Sequence, residues 1–494
     1  GIRDVAVTGV QTCALPIYMQ QRLVYCSHRA VWVLWAGLAL GATGMAQVTV
    51  RPDAGALQQQ IDRERQSAPL PRPGSLGLEG AARAPAVKDA ATVEVNTFLF
   101  EGNTLLSSEL LREVLHDGVR QRLNFAQLQR AADLVMQAYR DAGWMAYAYL
   151  PEQDVTSGEV TLRIIEATMG ELKLSGDVQS RISEEHIRQI FLAQQVPGQA
   201  LQIRALDRAL LLVSDLPGVS VKGGLSQWSD TQTARDVVLT MNSTPLLTGE
   251  ATLDNTGSRS TGRERALAML QLNSAFGVGD RTALTAMTSQ GSNYVRAEIS
   301  APIGHQGWRM SVYDAQLSYR IIAPEFAATH ARGVANTAGL ASNYPLVRSP
   351  EHNLYANVFL ERKDFDNQAN GSTESHYQSA TTGGSLSGNG VDAWRGQYNG
   401  NLSWTHGYLD LRGSPNQSRD AASVRTAGRF DKWRYDLSRQ QPITSTLTGV
   451  VSWSGQGSNK NLDSSEKFIL GGDAAVRAYP AGEGAGAQIG RAHV

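Results

Sequence analysis

The residues best equipped for chemistry lie late in the chain, in the stretch GGDAAVRAYPAGEGAGA at 471–487. Arg477 stands there between Val476 and Ala478-Tyr479-Pro480, with Gly471, Gly472, Gly482, Gly484 and Gly486 around it. A guanidinium is a planar fork that takes a carboxylate bidentately and can lock a loop by direction as well as by charge. Tyr479 can pack beside it, and the glycines relieve backbone restriction in a tight loop. A lone arginine of this kind is more often an ordinary surface residue, so its weight depends on its surroundings. Gly482-x-Gly484 has neither a following helix nor the Lys-Ser/Thr of a nucleotide loop. The nine histidines show no paired ligand spacing, and the chain has no Gly-x-Ser-x-Gly and no convincing pair of carboxylates. Cys13 and Cys26 are too few for a thiolate metal site or a disulfide framework. These features point away from an enzyme and imply no cofactor, metal or nucleotide.

Length and charge narrow the classes further. The chain has 494 residues, more than one average domain, and a formal net charge of −1. It has no basic field for nucleic acid and no acidic tail. The second half is rich in aromatic residues, Gly, Ser, Thr and Asn, a composition suited to many strands and turns.

The two ends read differently from the rest. TCALPI at 12–17 can be encoded by DNA whose reverse complement, offset by one base, encodes IGRAHV at 489–494. Residues 1–18 and 489–494 are therefore expected to derive from a sequencing adapter, with the gene cut after Gln488, and are set aside from fold reasoning. A start then falls at Met19, followed by Arg22 and Arg29, the apolar run VWVLWAGLALGATG, and small residues before Gln47. That is the pattern of a secretory signal peptide over 19–46, and the run is short for a membrane span.

The elements that must position any site follow in order. Residues 56–66 read as a short polar helix, with a proline-rich linker to residue 91. The stretch 92–103 alternates imperfectly as one strand. Residues 107–118 form a helix with Ser107 as N-cap and Gly118 as its stop, and 124–143 a second helix whose apolar face is Phe125, Leu128, Ala131, Ala132, Val135 and Tyr139. Two strands flank Ser157-Gly158. The order β-α-α-β-β recurs from Gly170, so 92–167 and 168–243 are two copies of one α+β unit. From 244 to 488 short stretches alternate strictly. Val295, Ala297 and Ile299 oppose Arg296, Glu298 and Ser300; Tyr313, Ala315, Leu317 and Tyr319 oppose Asp314, Gln316, Ser318 and Arg320. Tyr398, Leu402 and Trp404 form another apolar row, and Leu447, Val451 and Trp453 are expected to point outward. Polar stretches such as GSTESHYQSATTGGSLSGNG at 371–390 read as loops. This is the signature of an antiparallel transmembrane β-barrel.

The stretches FLFEGNTLLSSELL, AYRDAGWMAYAYLPEQDVTSGEVTLRIIEA and LDRALLLVSDLPGVSV resemble the two POTRA domains of two-partner secretion transporters. These are the outer-membrane hemolysin secretion/activation proteins of the ShlB/FhaC/HecB type, within the Omp85 superfamily. LDNTGSRSTGRERALAMLQLNSAFGVGD at 253–280 resembles the opening of that family's barrel, and VRAYP its Val-Arg-Gly-Tyr loop motif, with Ala478 in place of the superfamily's glycine. The resemblance implies α+β POTRA domains in the periplasm, followed by an outer-membrane β-barrel that is incomplete here. It implies a pore that exports one large partner exoprotein, with no catalytic step. An Omp85-type assembly factor is the alternative; two POTRA units and a short N-terminal helix favour secretion. The partner would add as a strand to the edge Met145, Ala146, Tyr147, Ala148, Tyr149 and Leu150. In the family the loop arginine folds into the lumen and meets an acidic residue beyond the motif. Here that places the partner of Arg477 after Gln488, or leaves it to a lumenal carboxylate such as Asp314 or Glu298.

Overall fold

The computed structural model describes residues 51–66, 92–176, 181–226, 233–472, 485–487 and 489–493. The stretch expected as a signal peptide, and the motif residues Val476, Arg477, Ala478, Tyr479 and Pro480, lie outside them.

The first α+β unit comprises β1 (Thr92–Val95), β2 (Thr97–Glu101), α2 (Ser108–Val114), β3 (Gln121–Asn124), α3 (Phe125–Asp141), β4 (Ala146–Tyr149) and β5 (Glu159–Glu166). It is preceded by α1 (Ala54–Gln66). The stretch expected as one strand is two, because the chain bends at Asn96. There the Asn96 N–H donates to the Gly158 carbonyl at 2.7 Å and its side-chain amide to the Ser157 carbonyl at 3.1 Å. β1 then pairs with β3, a strand that four polar-leaning residues did not announce. β5 is central in the three-stranded sheet β2-β5-β4, parallel to β2 and antiparallel to β4. Ser107 caps α2 as expected. Asn124 caps α3 in a reciprocal box with Gln127, satisfying two otherwise unpaired N–H groups. Of the expected apolar face of α3, Leu128, Ala131, Ala132, Val135 and Tyr139 are buried. Phe125 is 41 % exposed, because it sits in the first turn, outside the packed stripe.

The second unit repeats the plan with β6 (Thr168–Gly176), α4 (Glu184–Leu192), α5 (Ile203–Ser214), β7 (Val219–Leu225) and β8 (Ala234–Ser243), in the sheet order β6-β8-β7. Each unit has its own apolar core, built from one helix face and one sheet face.

The rest is a twelve-stranded antiparallel sheet. Its strands are β9 (Leu247–Asp254), β10 (Arg265–Asn273), β11 (Arg281–Ser289), β12 (Ser292–Ile303), β13 (Trp308–Arg320), β14 (Arg332–Arg348), β15 (His352–Ala369), β16 (Ser372–Val391), β17 (Gln397–Asp410), β18 (Gly428–Pro442) and β19 (Thr448–Ser458). A short helix α6 (Gln417–Ala422) lies in the β17–β18 connection. After β20 (Phe468–Ile469) and β21 (Ala485–Gly486), which pair with each other, β22 (Ile489–His493) pairs with β19 and completes the sheet.

The stretch 371–390, read as a loop, is β16, paired along its length with β15 and from Gln378 onward with β17. Apart from Tyr377, its inward residues are small and mostly polar, including Ser379, Thr381 and Ser387, and its outward ones are mixed, so no apolar stripe marked it. β14, β15 and β16 have 17, 18 and 20 residues, against about 10 needed to cross a bilayer. They therefore project past the apolar band. On β13 the outward row is Trp308, Met310 and Val312, then turns polar at Asp314, while Ala315, Leu317 and Tyr319 point inward. The alternation expected there is correct, but Asp314 faces outward and is not a lumenal carboxylate. Glu298, expected beside it, does face inward.

Candidate functional site

Two features stand out: an open sheet edge on the first unit and a lumen occupied by α1. The edge begins where Gly143, at φ +86°, turns the chain out of α3. Met145 donates its N–H to the Leu201 carbonyl of the second unit at 3.1 Å and accepts from the Ala167 N–H at 2.9 Å, so the joint between the units holds it. The strand proper is Ala146–Tyr149, within the expected 145–150. It ends at Pro151, which has no N–H. There the Gln153 side chain takes over as a substitute strand neighbour: it accepts from the Thr161 N–H at 2.7 Å and donates to the Thr161 carbonyl at 2.8 Å. Among the described residues β4 has no strand partner except β5. Because Met145 and Ala167 form a hydrogen-bonded position, antiparallel alternation directs the backbone groups of Tyr147 and Tyr149 toward β5 and those of Ala146 and Ala148 outward. The Ala148 side chain is buried against the helices, and the rings of Tyr147 and Tyr149 stack at 5.8 Å on the opposite face.

At the far end of β5, Glu166 organises the loop after β2. Its Oε1 accepts from the N–H groups of Thr104 and Leu105 and from the Tyr139 hydroxyl, each at 2.7 Å, and Oε2 accepts from the Thr104 hydroxyl. Burial pushes the carboxyl pKa up, but these hydrogen bonds outweigh it and hold the pKa below the usual glutamate value. Burial, and then the carboxylate beside it, push the Tyr139 phenol far above its own. Nothing in the spacing of Glu166 from residues 104, 105 and 139 announces this clamp.

The second unit docks on the barrel turns. Arg348, 6 % exposed at the end of β14, donates to both carboxylate oxygens of Asp215, at 2.8 and 2.7 Å, and to Asn353 Oδ1 at 2.9 Å. Arg208 of α5 stacks over Tyr344, and Trp308 stacks on the same ring at 4.6 Å.

Inside the sheet lies α1. Ala54, Leu57 and Ile61 share one apolar cluster with Tyr294, Leu317, Tyr319, Phe365 and Tyr377 of the wall. Each of the larger side chains contributes about 1.5–3 kcal/mol on burial. Gly55 is needed because a Cβ there would lie 2.6 Å from Ser464 Oγ. The polar side of the helix meets charged side chains of the wall rather than water. Lys363 Nζ lies 3.7 Å from Asp62, 3.0 Å from Glu361 and 3.6 Å from Glu466. Arg265 joins Glu64 at 2.7 Å to Asp254 at 2.9 Å, Arg65 reaches Glu298 at 3.8 Å, and Arg51 pairs with Glu374. A cavity of about 320 Å³ remains beside the helix, lined by Asp62, Arg65, Arg296, Lys363, Asn401 and Arg434 among others.

The strands that flank the undescribed VRAYP stretch, β20 and β21, form a paired stem in this lumen. The Phe468 ring lies between the guanidinium groups of Arg63 at 4.9 Å and Arg434 at 5.3 Å. Gln456 ties both sides of the stem to the wall through the carbonyls of Glu466 and Ala487, at 3.1 and 3.2 Å. Gly471 is buried, and Gly472 has φ +117°.

A tandem of α+β units joined to a twelve-stranded antiparallel sheet that wraps a helix is the architecture of an outer-membrane transporter of the Omp85 superfamily. The family model of the haemolysin secretion/activation protein ShlB/FhaC/HecB matches residues 234–489, and the ShlB-type POTRA domain model matches 93–167. The chain belongs to this family, which places its barrel in the outer membrane and its POTRA domains in the periplasm. It is 23 % identical over 446 residues to the heme/hemopexin transporter protein HuxB of Haemophilus influenzae, covering 87 % of this chain and 77 % of that one. With the outer membrane transporter CdiB of Dickeya dadantii it shares 26 % over 373 residues, 72 % of this chain and 63 % of the relative. The fold resembles CdiB from Escherichia coli, with a TM-score of 0.66 at 20 % identity over 90 % of this chain and 84 % of that one. It also resembles CdiB from Acinetobacter baumannii, with a TM-score of 0.57 at 15 % identity over 90 % and 85 %.

Proposed function

We propose that this chain captures one large exoprotein in the periplasm and passes it unfolded through its barrel lumen, without a catalytic step. The observation that carries the capture step is the outer edge of β4. Among the described residues it presents unpaired N–H and C=O groups of Ala146 and Ala148 in a strand with no second neighbour, and such an edge accepts an extended polypeptide as an added strand. The docked joints between the two POTRA units and between the second unit and the barrel hold this edge in a fixed relation to the pore. The VRAYP loop, whose stem stands in the lumen beside α1, fits a role in setting the lumen's state through a carboxylate partner of Arg477.

Replacing Ala148 with Pro removes an outward donor while leaving the pairing of Tyr147 and Tyr149 with β5. The variant is expected to insert normally and to secrete the partner poorly. Normal secretion by an inserted, folded Ala148→Pro protein would move capture to a different surface.

A further inference from the structure

The edge strand has two unlike faces. Toward the helices it offers Ala146 and Ala148, small and packed into the core, and toward the open face of the sheet it offers Tyr147 and Tyr149, half-exposed and stacked on each other. Beyond them that face holds Ile165 of β5, buried opposite Tyr147, and then continues through Arg163 and Thr161 to Leu99 of β2, which is exposed. Among the described residues no helix of the unit covers it, since α2 and α3 pack on the other side.

We propose that Tyr147 and Tyr149 select the captured segment: an extended stretch of the exported chain whose apolar or aromatic side chains alternate, all on the face that the tyrosines occupy. The inference rests on strand capture at β4 and names what that capture reads. Its basis is the alternation of an antiparallel ladder. An incoming antiparallel strand bonds to the outward groups of Ala146 and Ala148, so these become the hydrogen-bonded positions. Tyr147 and Tyr149 become the non-hydrogen-bonded positions, where facing side chains approach most closely, with Cα atoms about 4.5 Å apart. The backbone bonds are blind to sequence, whereas the two rings are not. An aromatic or β-branched residue opposite each ring buries apolar area against it, and a charged residue there loses water without gaining a partner. On the other face the alanines offer little area to read. Recognition is therefore of a period-two pattern on one face, a property of segments destined to become strands after export.

The test uses the whole chain in detergent and two labelled synthetic peptides of identical composition. One alternates valine with serine; the other repeats Val-Val-Ser-Ser, so that no two valines fall two residues apart and only one ring at a time can face a valine. Binding is followed by fluorescence anisotropy, with far-ultraviolet dichroism as the control for folding. The alternating peptide is expected to bind about tenfold more tightly than the blocked one, and replacing both tyrosines with Ser to remove that difference. Replacing both with Phe should retain it, since the rings and not the hydroxyls do the reading. Equal binding of the two peptides to the wild type, or absence of binding by both, would overturn the inference. So would a preference unchanged in the doubly Ser-substituted protein. If in that case Ala148→Pro still weakens binding, strand capture stands and only the tyrosine selection falls. If Ala148→Pro has no effect either, capture at β4 falls with it.

Discussion

Arg348 closes β14 of the barrel with both arms of its guanidinium on Asp215, the residue that ends α5 of the second POTRA unit. The arginine is almost fully buried while the aspartate is partly open to solvent. The pair is therefore asymmetric: losing the aspartate strands a buried charge, while losing the arginine frees a carboxylate that water can reach. Asp215→Ala is expected to loosen the joint more than Arg348→Ala does. Spin labels on the first POTRA unit and on a barrel turn should report a broadened distance distribution in that order. Exchange of the two residues should narrow it again. Identical narrow distributions in all variants would mean that the aromatic contacts of Tyr344 alone fix the joint.

Glu166 makes the first POTRA unit sensitive to acid. Its pKa in the folded protein lies below that in the unfolded chain, so its stabilisation is full above the unfolded value, about 4.3, and is lost as pH falls through the folded one. Glu166→Gln should remove that dependence and cost about 1–3 kcal/mol at neutral pH, through weakened bonds to Thr104, Leu105 and Tyr139. Hydrogen exchange at the Leu105 amide is the local readout. Protection unchanged by the substitution would show that the loop is held by its own packing.

The barrel wall predicts opposite responses from neighbours in sequence. Leu402 points to lipid at 54 % exposure, whereas Asn401 lines the lumen cavity. A lysine at 402 should cost about 2–4 kcal/mol of folding into bilayers if the site is near the midplane, and a lysine at 401 far less. Urea titrations in lipid vesicles compare the two. Equal costs would contradict the assigned register.

Much of this architecture is legible in the sequence because it rests on local periodicity. The period of 3.6 in 124–143 and the alternation around Leu402 and Trp404 both arise from one face meeting an apolar phase. Legibility fails where the deciding partner is distant. The helix at 54–66 looks solvated because its charges have no local partners; Lys363, Glu298 and Arg265 supply them from strands hundreds of residues away. The outward turn of Asp314 has the same origin. Past the lipid band the inner face packs on α1 and becomes the apolar one, so the hydrophobic row no longer marks the outside. β16 escaped notice because small hydroxyl residues facing a wet lumen resemble a loop. The tyrosines of β4 could be seen, but their place on the outward-reading face depended on the register of Met145 with Ala167.

The central claim is that polypeptide passes through the lumen that α1 occupies. Asp53 and Ser464 offer a direct test, because their side chains meet, with the Ser464 hydroxyl donating to Asp53 Oδ2 at 2.9 Å, so cysteines at the two positions lie within reach of a short bis-methanethiosulfonate cross-linker that reduction cleaves. With Asp53→Cys and Ser464→Cys combined, the cross-linked protein should retain α1 in the barrel. Secretion of the partner exoprotein into the medium should then stop and return on reduction, while each single cysteine variant secretes normally. Undiminished secretion with the cross-link fully formed would contradict the account, since the exported chain would then have crossed the membrane by a route that leaves the helix in place.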